Sequence, residues 1–187
     1  MNKKTLGSKL YLFPSPTILI GSKTNGKENY FTAGICGPIL SSPALITITV
    51  GKERFTYNGI KEYKTFSVNI PSAEMVKITD YFGLVSGKDI DKTKYFNTFY
   101  GKLNNAPMIE ECPLNLECRL VQSIDYGSKW DVVIGEIVET YVSEECLTNG
   151  KPDLLKIDPI LFSLPDWSYW RVGQHLAKAG DIGKTMK

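Results

Sequence analysis

The residues Ala44 to Val50, ALITITV, are apolar or β-branched throughout. Side chains branched at Cβ are stiff at χ1 and pack well on a pleated surface, so the run reads as a strand, buried on both faces. It leads directly into ERFTYNGIKE, residues 53 to 62, where a cation precedes a helix start. Such a juncture suits a phosphate, because backbone N–H groups at a helix start carry partial positive charge and an arginine fork matches phosphate oxygens. It also suits an ordinary helix capped by Thr56, with Arg54 in solvent.

The same strand grammar recurs along the chain. TILIGS (17–22) reads as a strand, and the Asn25-Gly26 pair predicts a hairpin whose partner runs through YFTAGICG. TYNGIKEYK reads as a short helix, TFSVNIP as a strand stopped by Pro71, and AEMVKITDYFGLV as a helix capped by Ser72. SGKDIDKTK is a polar loop. LNLECRLVQSIDY and WDVVIGEIVETYV form an antiparallel pair across the turn GSK, with Leu114, Leu116, Cys118 and Leu120 on one side. Gly135, inside the second of these strands, predicts a bulge or a close approach. The tail offers a strand near PILFS, an aromatic cluster WSYW, and a helix over 172–179. The sum is a mainly β fold, a closed antiparallel barrel with short inserted helices.

The 187 residues, 42% of them hydrophobic and 22% charged, suffice for one domain with a substantial core. A net charge of +2, with no basic run, argues against nucleic acid as a partner. No apolar stretch is long enough for a membrane span or a signal peptide. Cys36, Cys112, Cys118 and Cys146 form no C-x-x-C pair and His175 is the sole histidine, so a Cys/His metal site has no support. Reduced thiols point to a cytoplasmic protein.

Few residues promise chemistry of their own. His175 has no evident carboxylate partner, and adjacent acids such as Glu110-Glu111 diverge. No Walker or G-x-G-x-x-G pattern occurs. In NYFTAGICG, small residues after a threonine leave backbone N–H groups open to a flat ligand, or else mark a strand end. Ser86, Lys88 and Lys92 in the polar loop are workable phosphate partners, or a solvated connector. Cys36 is a reactive thiol or a packing residue. Any chemistry must come from a cofactor.

Taken in order, FPSPTILIGS, FTAGICG, SSPALITITVGKERFTYNGIKE, FSVNIPS, DYFGLVSGKDIDK, APMIEECPLNLECRL, GEIVE and YWRVGQHLAKAGDIGK resemble the flavin reductase-like, FMN-binding split-barrel family. The resemblance is to its flavoredoxin branch in particular and runs nearly the whole length. It implies a homodimeric split β-barrel holding FMN without a covalent bond near the dimer interface. By position, the cofactor-binding set would be Asn29, Thr32, Ala33, Gly34, Ile35, Cys36, Arg54, Thr56, Ser86, Lys92, Tyr169 and Trp170. Thr32 to Cys36 would line the isoalloxazine edge, and Arg54, Thr56, Ser86 and Lys92 the phosphate or ribityl end. Tyr169 and Trp170 would pack near the site.

Three positions depart from the family pattern. Ile35 stands where relatives place tryptophan, Trp130 where they often carry histidine, and Thr93 where an aromatic is usual. The implied function is an FMN-dependent oxidoreductase taking hydride from NAD(P)H, with no catalytic side chain of its own. The Trp130 departure favours an alternative, an electron carrier reduced by another redox protein. A split-barrel module without flavin is the more distant reading.

Overall fold

The computed structural model describes residues 2–127 and 129–186. Its main sheet has seven strands. In chain order these are β1 (Ile18–Thr24), β2 (Lys27–Ala33), β3 (Cys36–Ser41), β4 (Ala44–Gly51), β5 (Thr65–Ile70), β6 (Leu114–Asp125) and β7 (Trp130–Val142). Helix α1 (Phe55–Tyr63) joins β4 to β5, and α2 (Val76–Leu84) follows β5. Every neighbouring pair is antiparallel, in the order β2-β1-β5-β6-β7-β4-β3.

One core joins both ends of that order. Phe31 of β2 and Ile48 and Val50 of β4 pack with Ile18, Ile20, Phe66, Val68, Cys118 and Val133. The sheet therefore curls until its far strands share an interior, which is the predicted barrel. Tyr57 and Ile60 of α1 plug one end of this core. A second cluster, Leu19, Tyr30, Phe82, Ile109 and Cys112, lies outside the barrel wall under α2.

That second core corrects one expectation. Burial on both faces belongs to β1, which feeds Ile18 and Ile20 inward and Leu19 outward. In β4 only Ile48, Val50 and Gly51 are buried, because no cluster covers its other face. The hairpin at Asn25-Gly26 forms as read, with φ of 52° and 74°, the positive values a two-residue turn of this hand requires. Its second strand ends at Ala33, and Cys36 starts a new one. Cys118 of β6 faces the inner core with Leu116 and Leu120 beside it. The opposite face was not foreseen: Asn115 and Glu117 are buried too, bonded to the segment that crosses over them. The turn GSK includes residue 128, outside the described residues.

Two predicted caps do not form. Thr56 lies inside α1, whose N-cap is Arg54, and Ser72 precedes a short 3₁₀ turn, Ala73–Met75, without a side-chain bond. The predicted helix over 172–179 is absent: residues 172–178 form no regular structure, Ala179 enters a turn, and all are exposed apart from a half-buried Val172. An isolated helix that short is marginal without a packed face, and the chain gives it none. Thr93 holds Asp91 through both its N–H and hydroxyl, so the local 3₁₀ turn Lys92–Tyr95 is capped without an aromatic.

Gly135 fulfils both halves of its reading. The register slips between Ile134 and Gly135, and a Cβ at Gly135 would lie 2.4 Å from the Phe66 ring. Gly135→Ala should destabilise the fold by about 1–3 kcal/mol through overpacking. Adding Phe66→Leu should recover part of that loss in a double-mutant cycle read by urea denaturation.

Candidate functional site

Where β4 ends, the chain turns through Lys52 and Glu53, and Arg54 donates its backbone N–H to Gly51 O at 3.0 Å. Arg54 then caps α1 in extended conformation without a side-chain bond to the helix. Tyr57 N–H is taken by Arg54 O at 3.0 Å, which leaves the first two N–H groups of α1, those of Phe55 and Thr56, open among the described residues, with the positive end of the helix dipole behind them. The turn is anchored from below. Lys52 Nζ reaches Asp125 at 2.8 Å and Asp131 at 3.3 Å, and Tyr57 of α1 donates its hydroxyl to Asp131.

Facing this helix start is the end of α2. The Arg54 guanidinium donates to Gly83 O at 3.0 Å, and Lys92 Nζ donates to Phe82 O at 3.0 Å and Tyr30 O at 2.8 Å. Lys92 is only 2% exposed and its Nζ sits 4.9 Å from the centre of the Phe82 ring. Burial and the nearby Arg54 charge pull its pKa down to about 8. Among the described residues no carboxylate pairs with Lys92, and Arg54 meets only the exposed Glu53, at 4.0 Å. The carbonyls of the last turn of α2 offset part of this positive charge, but one ammonium donor and most of the guanidinium remain free.

These groups line one cleft of about 270 Å³, together with Asn29, Thr56, Ser86 and Gly87. Asn29 Nδ2 donates to Thr56 Oγ1 at 2.6 Å, fixing β2 against α1. Ser86 Oγ accepts the Lys88 N–H at 3.2 Å, curling the loop over the cleft. A Cβ at Gly87 would strike Asn29 Oδ1 at 1.9 Å, so only glycine allows that closure. A buried Lys92 ammonium with no carboxylate partner, Arg54 beside it with only the exposed Glu53 at 4.0 Å, and an open helix start give the cleft a positive lining that suits an anion.

Five of the expected residues therefore meet: Asn29, Arg54, Thr56, Ser86 and Lys92. Thr32 stands just behind them, its hydroxyl donating to Thr79 O of α2 and its Cβ facing Gly83. The others lie elsewhere on this chain. Ala33 points into the inner core, and Gly34 rests against the Phe162 ring. Ile35 is 44% exposed. Cys36 donates to Pro16 O at 3.5 Å, and burial pushes its thiol up to about 12, so it stays protonated. Tyr169 donates to Asp80 Oδ1 at 2.9 Å, while Trp170 is exposed on a groove it shares with Phe13 and Pro14. Sequence reading missed Tyr30, Gly83, Leu84 and Gly87 in the cleft wall. The small residues of FGLVSG were their only signal, a helix end kept free of bulk.

Residues 10–162 match the model of the flavin reductase like domain. The structure of flavoredoxin from Methanosarcina acetivorans superimposes with a TM-score of 0.94 at 41% identity, over all of both chains. Flavoredoxin of Desulfovibrio vulgaris (Miyazaki F) gives 0.90 at 34%, over 97% of this chain and 99% of that one. The ferric-chelate reductase (NAD(P)H) of Archaeoglobus fulgidus is 24% identical over 74% of this chain and 83% of its own length. With that domain matched over most of its length and a mainly β barrel shared with these structures, the chain belongs to the flavin reductase-like family.

Proposed function

We propose that this chain binds FMN without a covalent bond and works as an FMN-dependent oxidoreductase of the flavoredoxin type. The observation that carries the reading is the buried Lys92 ammonium, with no carboxylate partner among the described residues, beside Arg54 at the open start of α1. Arg54, the free donor of Lys92 and the first N–H groups of α1 would hold the phosphate, and Ser86 and Thr56 the ribityl side. The stretch Thr32 to Cys36 would present backbone N–H groups to the ring. Bound FMN supplies a two-electron centre that accepts hydride and passes electrons onward. The protein's share is orientation and electrostatics, since no side chain here acts as acid or base.

The unit we propose is a single domain over the whole chain, assembled as a homodimer in the cytoplasm. Exposed apolar side chains support the dimer: Leu10, Leu12 and Phe13 in the N-terminal arm, Leu40 on edge strand β3, and Trp170. Tyr169 and Trp170 would then approach a flavin from the partner side.

A second reading, an electron carrier that does not oxidise NAD(P)H, is favoured by the likeness to two flavoredoxins and by Trp130. That side chain is half exposed and pairs with Gly51, beside the turn that leads to Arg54. Anaerobic addition of NADH and then NADPH to the FMN-loaded protein decides between the two. Bleaching of the visible spectrum within seconds is the outcome expected of a reductase. A spectrum that only dithionite bleaches identifies the carrier.

Arg54→Gln and Lys92→Met should each weaken FMN binding by roughly ten- to a hundredfold, the range for a charge-assisted contact of about 1.5–3 kcal/mol. Riboflavin binding should be unchanged in both. Equal losses for FMN and riboflavin would remove the phosphate assignment.

The depressed Lys92 pKa also sets a pH dependence. Without ligand, the unfolded chain holds this proton more tightly than the folded one, so stability rises with pH from about 8 toward the ordinary lysine value. A bound phosphate reverses the preference by favouring the ammonium. Above pH 8 binding therefore takes up a proton, and FMN affinity should fall as pH rises through about 8. Calorimetry in buffers of different ionisation enthalpy reads this uptake, and Lys92→Met should abolish it.

A further inference from the structure

We infer that Asp131 is a positioning residue of the anion cleft: it clamps both ends of the segment that carries Arg54 and the open N–H groups of α1, and so sets how tightly a flavin phosphate is held there. The inference rests on the reading of the cleft as a flavin phosphate site, and it adds a residue that lines no part of that cleft.

Asp131 stands on β7 opposite Val50, one residue pair before β4 ends, and is 7% exposed. Its Oδ1 meets the Lys52 ammonium at 3.3 Å, two residues before Arg54. Its Oδ2 accepts a hydrogen bond from the Tyr57 hydroxyl, one residue after the open N–H groups. Residues 53 to 56, with the guanidinium and the N–H groups of Phe55 and Thr56, are thus held between two ties to one carboxylate. Lys52 is braced further by Asp125 at 2.8 Å and by Gly127 O at 2.6 Å. Successive helix side chains point about 100° apart, so Thr56 meets Asn29 in the cleft while Tyr57 reaches the β6–β7 hairpin.

Packing alone does not call for this arrangement. A phenylalanine ring would fill the end of the core as the Tyr57 ring does, and a buried carboxylate is unfavourable unless it is engaged. Among the described residues Asp131 Oδ1 accepts no hydrogen bond, so the Lys52 charge alone compensates that oxygen. Ser123 Oγ, 3.0 Å from the Tyr57 oxygen and 3.4 Å from Asp131 Oδ2, closes the group. Lys61 lies over the Tyr57 ring, 4.5 Å from its centre, and holds the ring in place. What this polar cluster adds is direction. Hydrogen bonds weaken steeply off line, and a tilt of the first turn of α1 would misaim the donors that meet a phosphate.

Charge makes the sign of the effect decisive. A carboxylate near an anion site repels the anion, so in a purely Coulombic role its removal would tighten binding. In the positioning role its removal loosens binding.

The test is fluorescence titration of flavin-free protein with FMN and, separately, riboflavin, in wild type, Asp131→Asn, Tyr57→Phe and the double variant, with thermal melting of each. Both single variants should lower the preference for FMN over riboflavin by roughly three- to thirtyfold, the range over which residues outside a site modulate it, with riboflavin affinity unchanged. The double variant should lose little more than either single one, because both changes break the same bond. A preference for FMN that rises in Asp131→Asn overturns the inference in favour of simple repulsion. A lowered melting temperature with the FMN preference intact overturns it in favour of support for the fold alone. If Asp131→Asn does not fold, Tyr57→Phe, which changes no charge, decides by itself. Wild type that binds FMN no more tightly than riboflavin overturns the phosphate reading, and this inference with it.

Discussion

The Lys92 ammonium holds two layers of the molecule together at the point where the cleft opens. It bonds Tyr30 O in the barrel wall and Phe82 O in the last turn of α2, under a ring that belongs to the outer core. A charge so buried is unfavourable unless something compensates it. Two carbonyls and an aromatic face compensate it partly, and one of its donors is left over. Arg54 repeats the arrangement with Gly83 O one residue further along. The two cations therefore act as ties on the end of α2. On the proposed reading, structural and binding roles would fall on the same atoms.

Those ties need a firm base on the other side. The turn before α1 is held by Lys52 against Asp125 and Asp131, while Tyr57 bonds Asp131 from within the helix. The start of α1 is thereby fixed to the β6–β7 hairpin, and Arg54 emerges from a rigid point. A second buried carboxylate, Glu117, does similar work beyond the cleft. It takes the N–H groups of Lys102 and Leu103 at 2.9 and 2.7 Å, securing the long crossing between α2 and β6. Asn69 and Asn115 form a second network beside it, bonding each other and the backbone of Ile109. These polar contacts are satisfied on several sides, which is what makes burying them tolerable.

The strands were legible because β-branched runs and turn pairs are local signals. ALITITV, Asn25-Gly26 and the two long strands about GSK each carry their own evidence. Whether both faces of a strand are covered is not local, and so β4 was read as β1 turned out to be. Buried Asn115 and Glu117 were hidden for the same reason: an alternating strand looks half polar whether water or a crossing loop meets its far side. The caps failed differently. A threonine after a strand looks like an N-cap, but Asn29 takes its oxygen from 27 positions away in sequence, and Arg54 starts the helix. The terminal helix failed because its periodicity had no surface to pack on.

The site divides along the same line. Arg54, Thr56, Ser86 and Lys92, which share the cleft, could be singled out because a helix start and a lysine loop carry phosphate chemistry in their residue types. Order and spacing along the whole chain then tied them to one family. Ala33 to Cys36 rested on small size and on position, Tyr169 and Trp170 on position alone, and in a single chain they lie away from the cleft. Here Ala33 supplies core packing, Gly34 a seat for Phe162, and Cys36 a protonated thiol held to Pro16. The cationic end of the candidate site is thus assembled within one chain. On the proposed reading the ring end would border on surfaces that are apolar and exposed, Ile35 and Trp170 among them. A flat cofactor anchored by its phosphate in one chain and covered at its ring by another would give each of those side chains a partner.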